Sequence, residues 1–170
     1  METSVFLAAD VLRITGITER MLSQSIALGL IEPSGGASPG KGVDRLFDFG
    51  DLFALAALRH LRDLGYPRPL AVPLIKHLKA STGGRPKQRW CVLYADGTFV
   101  TCSAKALVNA LMRRGDRAMV GALILSLTQV YDSVVGGISE CTIVRSARRG
   151  RKPGTPLKEL TRGARRLASR

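Results

Sequence analysis

The sequence predicts a mainly α protein with a small β component (α+β), on three observations. Apolar residues recur at helical spacing in several short runs closed by glycine. One Asp-Gly pair stands between two short runs rich in β-branched and aromatic residues. The last stretch of the chain holds few large apolar side chains. A length of 170 residues suits one domain or two small ones, and 45% hydrophobic residues suffice for a core. The expected organisation is a helical head over 1–80, a linker over 81–89, a small α+β domain over 90–144 and a disordered basic tail over 145–170.

In the head, Thr3 or Ser4 is placed to cap a first helix whose Phe6, Leu7, Val11 and Leu12 fall at helical spacing and which stops near Thr15-Gly16. Thr18 is placed to cap a second helix, with Met21, Leu22, Ile26 and Leu28 or Leu30 facing the first and Gly29 at its end. Two helices joined by the tight turn Ile14 to Ile17 make a helix-turn-helix. The Gly-rich loop from Ser34 to Gly42, with Lys41 near its tip, leads into Arg45-Leu46-Phe47-Asp48. Asp48 is placed to cap a third helix from Phe49 to Leu64 that closes at Gly65, and a fourth helix spans about Leu70 to Lys79 after Tyr66-Pro67-Arg68-Pro69. A flap between helices two and three completes a winged helix-turn-helix.

The linker carries the basic run Arg85-Pro-Lys-Gln-Arg89. From Trp90 the pattern is that of a hairpin turning at Asp96-Gly97, because Asp-Gly accepts the positive φ angles of a tight turn. With those two residues central, Tyr94 pairs with Phe99 and Cys91 with Cys102. Two small half-buried side chains are the favoured reading of that pair, and a cross-strand disulfide is the alternative. Ser103 is placed to cap a helix through Arg114. From Asp116 to Val135, Val120, Leu127 and Val134 fall seven apart, with Leu123 or Ile124 and Val130 or Tyr131 between them. Val120, Leu123, Leu127, Val130 and Val134 are taken as a short helical seam suited to pairing two subunits, ended by Gly136-Gly137. A buried strand over Met119 to Leu127 is the competing reading, and Ile138 to Val144 is expected as a final strand.

Charge narrows the function. The chain carries 26 Lys and Arg against 13 Asp and Glu, a net +13. Residues 1–79 hold 9 basic and 8 acidic groups, net +1, residues 80–144 net +3, and residues 145–170 hold 10 and 1, net +9. The tail cannot offset its chain entropy by burial, and phosphates are its natural partner. With aromatics at 5%, stacking platforms for single strands are not expected. The N-terminus lacks a secretory pattern and the longest uncharged run, Ala118 to Tyr131, is short for a membrane helix, so a cytoplasmic location without membrane partners is expected. Cys91, Cys102 and Cys141 form no CxxC pair, and with only His60 and His77 to help, no metal or other cofactor is expected. No nucleophile elbow, phosphate loop with its Lys-Ser or Lys-Thr, or paired-carboxylate cluster points to catalysis.

The run Val11 to Leu22, then Leu28-Gly-Leu-Ile31, Arg45-Leu-Phe47, Asp51-Leu52 and Leu61-Arg-Asp-Leu-Gly-Tyr66, resembles the DNA-binding domain of MerR-type regulators over about residues 5 to 79. Ser23, Gln24 and Ser25 stand where that family usually places an arginine followed by two tyrosines. The resemblance implies a recognition helix in the major groove, a wing on the backbone and pairing through a later helix. On such a head, Thr18, Arg20, Ser23, Gln24 and Ser25 would form the reading surface, with Gln24 suited to adenine and Arg20 to guanine or phosphate. Lys41 and Arg45 would hold the wing to phosphates, and Arg148, Arg149, Arg151 and Lys152 would add affinity without choice. The expected function is therefore a homodimeric, nucleoid-associated regulator of transcription that binds double-stranded DNA and meets the transcription machinery. The alternatives are an excisionase-like or architectural bending protein and a domain that recruits another protein to DNA.

Overall fold

The computed structural model describes residues 5–33, 45–80, 85–112 and 122–148, with side chains in the last stretch described to residue 141. The fold is mixed α/β, with helices packed around two small antiparallel sheets. In chain order these are β1 (Phe6–Leu7), α1 (Ala8–Thr15), α2 (Glu19–Ala27), β2 (Leu46–Phe47), α3 (Phe49–Asp63) and α4 (Arg68–Lys79). There follow β3 (Trp90–Leu93), β4 (Phe99–Cys102), α5 (Ala104–Met112), β5 (Leu123–Ser126) and α6 (Leu127–Arg148).

The chain enters as a strand where a helix is expected. Phe6 pairs with Phe47 and Leu7 with Leu46, antiparallel, so α1 begins only at Ala8. Burial explains the preference: Phe47 is fully enclosed and Phe6 nearly so, and an extended β1 is what lets the two rings share the core. Asp10 closes the helix start by accepting from the Leu7 N–H at 3.3 Å. The expected cap at Thr3 or Ser4 lies outside the described residues.

The long helix α3 is the centre of the head. Asp48 Oδ1 accepts from the Asp51 N–H at 2.8 Å and Asp51 Oδ2 accepts from the Asp48 N–H at 3.2 Å, a reciprocal cap at the expected position. Leu52, Leu55 and Leu61 are fully buried along its length. Helix α4 packs against it and starts at Arg68, two residues before the expected Leu70.

Asp51 is itself buried, with the Lys79 ammonium 3.6 Å from Oδ1. Burial outweighs the backbone hydrogen bond and the Lys79 charge, and with a smaller push from the Asp48 charge it raises the carboxyl from 3.8 to about 6. The folded chain thus binds this proton more tightly than the unfolded one. The stabilisation is complete below about pH 4 and is lost as pH rises through about 6. Asp51→Asn is expected to remove this contribution, so that the stability difference between variant and wild type changes by about 1–2 kcal/mol between pH 4 and 6, read from denaturant midpoints across that range.

The second sheet has the order β4-β3-β5. Its hairpin turns one residue differently from expectation: Leu93 pairs with Phe99 and Trp90 with Cys102, so Cys91 faces Thr101. The loop holds three residues, Ala95, Asp96 and Gly97, between Tyr94 and Thr98. The Gly97 N–H bonds back to the Tyr94 carbonyl, and Gly97 takes φ 81°. That is a type I turn closed by a left-handed residue, a position where glycine meets no steric penalty. A slip of one residue exchanges faces. Cys91 therefore joins the main core while Cys102 joins a smaller one with Val92, Tyr94 and Ala110 under α5. None of the three cysteines is in a disulfide. Burial pushes the Cys91 thiol up to about 12 and raises that of Cys102 as well.

The largest departures lie near the C-terminus. The expected helical seam is split, because Leu123 belongs to β5, paired with Leu93, and the helix begins at Leu127. Val120 lies outside the described residues. Leu127, Val130 and Val134 are buried inside the chain's own core, where they pack with the head, and so are not a free surface for a partner. Gly136 and Gly137 do not end α6, and Ile138 to Val144 is helical rather than a strand. A Cβ on Gly137 would stand 3.0 Å from the Ile14 carbonyl oxygen and 3.1 Å from Ile14 Cα. Glycine here lets α6 lie against α1. Tyr131 of the same helix packs on Phe49 and Phe53 at ring separations of 5.5 and 6.3 Å. One core therefore runs from Phe6 through α3 to Cys141, and the expected boundary at 81–89 does not divide it.

Candidate nucleic-acid interface

The turn between α1 and α2 is held by its own side chains. Thr15 Oγ1 donates to the Val11 carbonyl at 2.6 Å and accepts from the Ile17 N–H at 3.4 Å. Gly16 takes φ 65° and bonds back to the Leu12 carbonyl, while Arg59 on α3 donates to the Thr15 carbonyl at 3.1 Å. Thr18 Oγ1 then accepts from the Met21 N–H at 3.2 Å, the expected cap of α2.

Helix α2 has two distinct faces. Met21 and Leu22 are buried against the core, and Arg62 on α3 donates to Met21 Sδ at 3.4 Å. Arg20, Ser23 and Gln24 are exposed, at the spacing that brings side chains to one side of a helix. Thr18 is exposed at the start of the same helix.

Ser25 corrects the expectation. It is fully buried, its hydroxyl donates to the Met21 carbonyl at 2.8 Å, and it accepts from Arg68 at 3.1 Å. It cannot contribute to an outward reading surface. Gln24 is exposed but not unengaged, since its Oε1 accepts from Arg68 Nη1 at 2.9 Å. Arg68 is the residue that sequence reasoning passed over. It occupies the first turn of α4, where the helix dipole disfavours a cation, and that misplacement was the available signal for a specific partner.

No protein-family model matches the chain, and no curated protein does either. The geometry therefore stands on its own residues. Arg45 is exposed immediately before β2, and Arg13 is exposed in the last turn of α1. Lys41, Arg149, Arg151 and Lys152 lie outside the described residues, and Arg148 ends α6 with its side chain undescribed.

Other chemistry on the described surface is sparse. An open groove of about 340 Å³ runs between the end of α3 and β5, lined by His60, Asp63, Ile124, Ser126 and Gln129, and none of its lining residues belongs to α2. The His77 ring packs on Phe99 at 5.4 Å. Among the described residues no group of three or more His, Cys, Asp or Glu could hold a metal ion, and no helix is long and apolar enough to cross a membrane.

Proposed function

We propose that the chain is a sequence-specific double-stranded DNA-binding regulator of transcription whose MerR-like head places α2 in the major groove. The observation that carries this reading is the outward face of α2: Arg20, Ser23 and Gln24 stand exposed on a helix whose opposite face, cap and preceding turn are fixed by the core. Those side-chain types bond to base edges and phosphates, and a helix held from behind can present them in register. On this reading Arg45, exposed before β2, would meet the phosphate backbone.

The reading is of a homodimer, since paired half-sites let a small reading surface of three side chains specify a longer sequence. Its pairing surface is not the Val120 to Val134 seam. The charge of residues 145–170 supplies affinity without choice, as each phosphate neutralised adds about 0.9 to the slope of log affinity against log salt. The role is non-catalytic and requires no cofactor.

Fluorescence anisotropy with labelled duplexes over a salt series tests this. The full chain is expected to bind with a steep slope and to prefer some sequences. Arg20→Ala is expected to weaken the preferred duplex about tenfold, in the range of one lost base or phosphate contact. Removing residues 145–170 is expected to weaken every duplex and flatten the slope while the ranking of sequences survives. An unchanged slope on truncation would remove the tail from the account. Binding that is strong but indifferent to sequence would favour the architectural alternative.

A further inference from the structure

The hydrogen bonds of Arg68 determine which face of the Gln24 carboxamide is available. Arginine has five donors and no acceptor, so only the oxygen of Gln24 can meet it, and a flipped amide would set donor against donor. The guanidinium is forked between Gln24 Oε1 at 2.9 Å and Ser25 Oγ at 3.1 Å. Ser25 is locked in turn, because it is buried and its own proton goes to the Met21 carbonyl. Arg68 also sits at the start of α4, whose Ala71, Leu74 and Ile75 are fully buried, so the fork is anchored to the core. The Gln24 oxygen is thereby turned toward α4, and its amino group diverges from that contact.

Glutamine reads adenine by using both ends at once, accepting from N6 and donating to N7. The Gln24 oxygen already accepts from Arg68 and is turned toward it, so meeting adenine with both ends would ask that oxygen to accept a second time, while the amino group stays available to donate. Guanine offers a donor two adjacent acceptors, O6 and N7, and thymine offers O4, whereas adenine offers N7 alone with the N6 donor beside it. We propose that Arg68 is a positioning residue that turns the Gln24 oxygen away and leaves its amino group to face the DNA, so that the base it meets is guanine or thymine in preference to adenine. This rests on the reading of α2 as a DNA-contacting helix and reverses the adenine preference that the residue type alone suggests.

The test is selection from a random duplex library by the full chain, comparing wild type with Gln24→Ala, Arg68→Met and Arg68→Lys, each checked for folding by circular dichroism. Wild type is expected to prefer guanine or thymine over adenine by about tenfold at one position, and Gln24→Ala to abolish that preference. Arg68→Met frees the Gln24 oxygen and is expected to move the same position toward adenine, whereas Arg68→Lys keeps a charged donor and retains the wild-type choice. A merely structural arginine would change affinity at all positions together. Adenine at the Gln24-dependent position in wild type, no position dependent on Gln24, or an Arg68→Met variant with unaltered choice would each overturn the proposal, and the first two need no Arg68 variant to fold. Failure of wild type to enrich any duplex would instead overturn the DNA-binding reading itself.

Discussion

Phe47→Ala is expected to lower stability by about 3–5 kcal/mol, the range for emptying a large ring from a closed core. Phe47 is fully buried on β2, opposite Phe6 across the short ladder, and β2 leads directly into the cap of α3. The loss should not stay in the head. Trp90, the chain's one tryptophan, lies on β3, and β3 also supplies Cys91 and Leu93 to the core that contains Phe47. Tryptophan fluorescence and far-ultraviolet circular dichroism are therefore expected to report the same lowered midpoint in urea. A tryptophan midpoint that stays at the wild-type value while the helical signal moves would show that the sheet folds apart from the head.

Two adjacent glycines on α6 are expected to respond in opposite directions. A Cβ on Gly136 meets nothing within 4 Å, so Gly136→Ala gains helix propensity at no steric cost and should stabilise by about 0.5–1 kcal/mol. Gly137→Leu must push α6 away from the backbone of Ile14 and should cost about 2–3 kcal/mol. Thermal denaturation of the two variants beside wild type checks the sign of each. If both shift the midpoint the same way, the close approach of α1 and α6 is not what requires glycine at 137.

That pair also shows where reading the sequence succeeds and where it stops. Caps and turns with local partners were legible: Thr18 and Asp48 bond three residues ahead, as their residue types suggest, and α2 and α3 start where expected. Gly136-Gly137 looks locally like a helix end, and only Ile14, more than a hundred residues away in sequence, makes it a packing site instead. Phe6 and Leu7 fit a helical spacing until Phe47 and Leu46 arrive to pair with them. The hairpin failed by a single residue because Asp-Gly suits both a two-residue loop and the last positions of a three-residue one. At the candidate site the outward residues Arg20, Ser23 and Gln24 could be named from helical spacing. The burial of Ser25 and the reach of Arg68 could not, since they depend on how α4 docks beside α2.

The sorting of cysteines by the sheet has a practical consequence. Cys91 and Cys141 are enclosed in the larger core and Cys102 in the smaller one, each no more than 6% exposed. Their burial makes alkylation wait on local opening, since the thiolate that reacts must first reach solvent. Mass-resolved labelling over time would therefore clock the breathing of the two cores separately in the unmodified chain, with no probe introduced.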